Sequence, residues 1–246
     1  MGIFRTDIDI NELSNPARNY LALPPTIGLK GSITIFTLLF VDFFGAFILI
    51  TDPFIESLLW LTYPFIILFN LWFVTLLIRN VYSIQMEGLL FVVVTCFLSV
   101  YLYLIIIYKM GYFIFQFDSP VFMILVLLSV FLEVIYFSIY YYRLIHQSGK
   151  KKDHSTENKF SSYIFSILYS FPAFGYIFYQ AIIKQAGLIE YALLFCYLFF
   201  IAFLTFLGTK NGYKYLFLRA NPSLIMYERP PKSEWAEMKK KGIVIK

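Results

Sequence analysis

The chain has 246 residues, of which 60% are hydrophobic, 21% aromatic and only 14% charged, with a net charge of +5 and a mean hydropathy of +0.73. A water-soluble domain is about 45–50% apolar and about 25% charged; this composition excludes one and implies a bilayer, which is itself an apolar phase. The basic residues sit beside hydrophobic segments rather than in a patch, so no nucleic acid is expected as a partner.

Residues 1–30 read as polar and irregular, with Asn15-Pro16 and Pro24-Pro25 expected to break any helix. No short apolar run follows a basic start, so no signal peptide is expected. Six apolar runs of membrane-spanning length follow, at 32–51, 58–78, 88–108, 120–142, 160–183 and 187–208. They do not alternate polar with apolar residues, as membrane strands would, so each is predicted to be a helix. The expected fold is all-α: a bundle of six transmembrane helices between an N-terminal segment, 1–31, and a tail, 209–246. Pro64 and Pro172 fall inside runs and are expected to bend their helices.

The third and fourth runs are separated from the last two by RLIHQSGKKKDHSTENK, Arg143 to Lys159, the one long polar break in the middle of the chain. It carries Arg143, Lys150, Lys151, Lys152 and Lys159. With the N-terminus inside, only Lys109 and Lys184 fall in outer loops, and every other basic residue is inside. The positive-inside rule therefore predicts both termini in the cytoplasm. Richness in Phe, Ile, Tyr and Lys suits an AT-rich genome and hence a bacterial cell membrane. In the tail, Tyr213–Leu218 reads as short and strand-like, and Ser233 as the cap of a helix over 234–241. The tail and the basic loop serve either to fix topology or to dock a cytoplasmic protein or anionic lipid headgroups.

The polar residues within the runs are the candidate sites. Asp42 lies in the first, Asn70 in the second and Glu133 in the fourth, with no Lys or Arg inside any run to neutralise the acids. A carboxylate at the bilayer midplane costs about 2.5–3.5 kcal/mol on insertion scales. Each acid must therefore be protonated, meet water, bind a cation or accept hydrogen bonds. Two roles follow: an interhelical pin worth about 0.6–2 kcal/mol, or a proton- or cation-handling site. The order Asp42, Pro64, Cys96 in the first half and Glu133, Pro172, Cys196 in the second hints at an inverted repeat.

Catalytic patterns are lacking. His146 and His154 both lie in the basic break, and no HExxH, GxSxG or phosphate-binding loop is present. Cys96 and Cys196 lie in apolar runs, form no CxxC pair and read as small apolar fillers. No enzymatic activity, cofactor or metal is expected. Two functions remain open. One is a non-enzymatic membrane partner, such as an assembly factor or immunity-type protein. The alternative is a transporter or channel component with an acidic polar path. Convergence of Asp42 and Glu133 on one cavity would favour the second.

Overall fold

A computed structural model describes residues 13, 15–117, 119–146 and 188–228. The elements are α1 (Asn15–Leu21), α2 (Leu29–Phe36, continuing as a π-helix over Thr37–Phe47), α3 (Glu56–Ile78), α4 (Gln85–Lys109, continuing as a π-turn over Met110–Ile114), α5 (Val121–His146) and α6 (Leu188–Ala220). Among the described residues there is no strand. Five helices are long and apolar enough to cross a membrane: Leu29–Phe47, Glu56–Ile78, Gln85–Ile114, Val121–Ile145 and Tyr191–Ala220. The predicted span at 160–183, Pro172 within it, most of the basic break and the helix at 234–241 lie outside the described residues, so the inverted repeat does too.

Helices α4 and α6 are the axis of the bundle. They run antiparallel. At one end Tyr191 stacks on Phe115, ring centroids 4.5 Å apart, and toward the other Gly208 meets Cys96 and Phe97. A Cβ on Gly208 would fall 3.1 Å from that of Cys96, and one on Gly212 3.5 Å from Val93. The two glycines thus let the helices approach closely, as small residues four apart do between membrane helices. Helix α2 packs on α4 with Gly45 against Leu102, where a Cβ would lie 2.7 Å from Leu102 Cδ1. Helix α5 runs parallel to α6, with Phe137 edge-on to Phe206 at 4.8 Å and Tyr141 clustered near Tyr213.

Several expectations need correction. Asn15-Pro16 starts α1 instead of preventing a helix, because a proline in the first turn removes an amide that would have no intrahelical partner anyway. Tyr213–Leu218 is helical: α6 runs on to Ala220 and buries Phe217 and Leu218 with Leu13, Ala17, Leu21 and Leu224. The final span is therefore longer than 187–208. The helix that carries the third runs past 108 to Ile114, so Lys109 is a helical residue and not part of a loop.

That lysine shows how helix ends are closed. The last carbonyls of a helix lack intrahelical partners, and inside a membrane they cannot turn to water. Lys109 of α4, 2% exposed, gives its ammonium to the carbonyls of Ile48, Leu49 and Thr51 at 3.2, 3.3 and 2.6 Å, closing the first span. Lys30 donates to Leu77 O at 2.7 Å, closing α3. Lys214 donates to Ala22 O, just beyond α1. In each case a cation also meets the negative end of a helix dipole.

The end of the bundle opposite Lys109 is held by a clasp. Tyr20 stacks on Tyr141 at 4.9 Å and donates its hydroxyl to Lys210 O at 2.5 Å. Burial, reinforced by Tyr141 and Tyr213, holds that hydroxyl in its neutral form well above the usual phenol range. The buried Gln85 side chain exchanges two hydrogen bonds with the Glu228 backbone, at 2.9 and 3.0 Å. The Glu228 carboxylate accepts the Thr26 amide at 2.6 Å, and the Thr26 donors keep it below the usual carboxylate range. The tail is therefore packed back on the bundle as far as Glu228.

Lys109→Met keeps length and removes the donor. It should destabilise the protein by about 1–3 kcal/mol, the cost of leaving buried polar groups unsatisfied, seen as a lower midpoint of unfolding in mixed micelles. A variant as stable as the parent would show that the three carbonyls need no partner.

Candidate site: the intramembrane polar residues

The π-helical stretch Thr37–Phe47 carries Asp42. At its start the Thr37 hydroxyl bonds back to Ile33 O at 2.9 Å, while its amide is shared between the carbonyls of Ile33 and Thr34. Such back-bonding bends helices and marks the place where the register widens. The wider register is braced from outside. Tyr103 of α4, fully buried, donates to Phe40 O at 2.9 Å, and Tyr197 of α6 donates to Phe44 O at 3.0 Å. The two rings meet edge to face at 5.1 Å, and Phe200 packs against Phe40, Phe44 and Tyr103. A third hydroxyl, from Tyr101, donates to Leu61 O at 3.1 Å, in the turn of α3 that precedes Pro64. A π-bulge is often found at a functional site; here it places a carboxylate.

Asp42 is half-buried and faces α3. Its Oδ1 accepts from Asn70 Nδ2 at 2.9 Å, and that same amide nitrogen donates to Ile66 O at 3.1 Å, one turn earlier on α3. The structure thus brings together two of the three predicted polar residues. Glu133 is elsewhere. It is 1% exposed on α5, one turn before Phe137, on the face that packs against α6. Ser129, one turn earlier still, is also buried and bonds back to Val126 O at 2.7 Å. Asp42 therefore belongs to the contact of α2 with α3, whereas Glu133 lies on α5, one turn from the Phe137–Phe206 contact with α6.

Residues that the sequence reading passed over lie at the α4–α6 seam. Ser99 and Thr205 are fully buried, and their hydroxyls have no hydrogen-bond partner among the described residues. They stand one helical step from the Cys96–Gly208 contact, three residues on along α4 and three back along α6. In an antiparallel pair this sets them opposite each other. Gly208xxxGly212 was the signal available in the sequence, since it marks the face of α6 that a neighbour approaches closely. Cys96 fills this seam as an apolar residue, whereas Cys196 is exposed. Among the described residues no group of His, Cys, Asp and Glu could hold a metal ion. No protein family, curated protein or solved structure matches this chain.

Tyr103→Phe and Tyr197→Phe should each cost about 0.5–1.5 kcal/mol, the net worth of a buried interhelical hydrogen bond. Tyr101→Phe, whose bond lies within the spans on the hydrocarbon-facing side, should cost a similar amount. Unfolding by denaturing detergent measures the three variants. An equal, negligible loss in all of them would show that the π segment does not depend on these hydroxyls.

Proposed function

We propose that the chain is a non-enzymatic multi-pass protein of a bacterial cell membrane that acts as a membrane partner of another protein, in the manner of an assembly factor or an immunity-type protein. The observation that supports this is the separation of the two acids. A conduction path needs its ionisable groups along one continuous polar route. Asp42 is hydrogen-bonded to Asn70 between α2 and α3, and Glu133 is buried on α5, one turn from where Phe137 meets α6. Acids placed in different contacts behave as pins that fix helix pairing. The alternative, a transporter or channel component, draws its support from the buried hydroxyls of Ser99 and Thr205.

The full topology proposed is six spans with both termini in the cytoplasm. Since α5 and α6 run in the same direction, the chain has to return between them, and the apolar run at 160–183 is long enough to do so. Arg18, Lys30, Arg79, Arg143, Lys210, Lys214 and Arg219 lie toward the clasp end and Lys109 at the other, which supports the clasp end as the inner one.

Proteoliposomes loaded with proton- or sodium-sensitive dye distinguish the two functions. Wild type, Asp42→Asn and Glu133→Gln should all leave the vesicles as ion-tight as empty ones. A flux present in wild type and lost in both stable variants would overturn the partner reading.

Topology is checked separately. In a background without the two native cysteines, Ser148→Cys should resist an impermeant maleimide in intact cells and Asp52→Cys should react. The reverse pattern would invert the assignment.

A further inference from the structure

We propose that the Asp42–Asn70 pair is a docking site, within the bilayer, for a transmembrane helix of another protein that carries Lys or Arg near mid-depth. This deepens the membrane-partner reading and rests on it. Asn70 satisfies one carboxylate oxygen of Asp42; the other, Oδ2, has no hydrogen-bond partner among the described residues. The pair is only half-buried. Among the described helices it lies on an outward face between α2 and α3, flanked on α2 by Leu38 and Phe47 and on α3 by Ile67 and Val74, all exposed. It does not face α6, which is met by Phe40 and Phe44. An acceptor is thus presented sideways toward hydrocarbon, which supplies no donor.

The chemistry of the pair selects the occupant. What is missing is a donor, preferably cationic. No Lys or Arg lies at this depth in any of the apolar runs of this chain. The lysines toward the ends of the described spans are engaged: Lys30 and Lys109 on helix-terminal carbonyls, Lys214 on Ala22 O and Lys210 over the Phe206 ring. A second copy would present the same Asp42 and an Asn70 amide already committed to Asp42 and Ile66 O. It therefore adds acceptors where a donor is wanted. A foreign helix with one basic residue supplies the charge and the donor, and its apolar flanks match Leu38, Phe47, Ile67 and Val74. In a bilayer the apolar flanks alone drive little association, so the polar pair would decide which helices bind.

The test uses the purified full chain in phosphatidylcholine vesicles. The probes are fluorescent leucine–alanine helices of about 20 residues with Lys, Leu or Glu at the centre, and association is read by energy transfer. The central-Lys helix should bind about fivefold to tenfold more tightly than the central-Leu helix, the range expected of one polar contact between membrane helices. The central-Glu helix should show no gain over Leu. Asp42→Asn should reduce the Lys preference, and the double variant Asp42→Leu with Asn70→Leu should abolish it. Glu56→Gln, at the start of α3, should leave it unchanged. Circular dichroism and elution volume report whether each variant remains folded, and the wild type against three probes is a test that needs no variant. Equal binding of the three helices, a Lys preference that survives Asp42→Asn, or Asp42-dependent self-association in place of probe binding would each overturn the proposal. None of these outcomes is an ion flux, so failure here is distinguishable from failure of the partner reading.

Discussion

A carbonyl oxygen inside a bilayer has to find its donor within the protein, and much of this structure is arranged around that demand. Regular helix meets it for most residues. It is not met at helix ends or where the helical register changes, and at those points a neighbouring element supplies the donor. Lys109, Lys30 and Lys214 serve the ends of the first span, α3 and α1. Tyr103 and Tyr197 serve the π-helical stretch, and Tyr101 serves the turn before Pro64. Each of these contacts joins residues of different elements, 40 or more positions apart. The donors therefore also define which helices are neighbours, a task that hydrophobic burial performs poorly when the solvent is itself apolar.

The two sides of the fold are stabilised by different physics. Within the spans, close approach and polar pinning dominate: Gly208 on Cys96, Gly45 on Leu102, Asn70 on Asp42. At the clasp end the cluster of Leu13, Ala17, Leu21, Phe217, Leu218 and Leu224 lies at the border of the spans. There, ordinary removal of apolar surface from water contributes about 1.5–3 kcal/mol for each fully buried large side chain. The basic residues at this end also have a double role. Under the proposed topology they bias orientation by their charge, and several are spent on specific carbonyls and rings.

The sequence carried the helical class and most of the membrane segments, because a run of some 20 apolar residues has one favourable conformation in a bilayer. What was not legible turns on single residues. Gly208, Asn211 and Gly212 look like a helix stop in isolation, yet Gly208 and Gly212 are the faces that admit α4, and packing carries the helix through them. Lys109 looks like a loop residue because a charge usually ends a span; its ammonium instead finds three carbonyls. Asp42, Asn70 and Glu133 were visible as anomalies of composition. Which of them meet could not be read from depth alone, since pairing depends on how the helices are arranged around α4 and α6. The π register has no sequence signature of its own, and its tyrosine donors lie 63 and 153 residues away.

The reciprocal bonds between Gln85 and Glu228, together with Thr26 on Glu228 and Lys214 on Ala22, tie the beginning of the described chain to its end. A ribosome delivers these partners far apart in time. When α1 and the first three spans have emerged, the groups that will close the clasp end are still unmade, and the Ala22 carbonyl and Gln85 amide must wait at the membrane surface. Contacts of such long sequence separation form late. Until the final helix arrives, the early spans of the nascent chain lack these contacts. A chain cut short before residue 228 would keep most of its hydrophobic spans and still lack the contacts that lock them together.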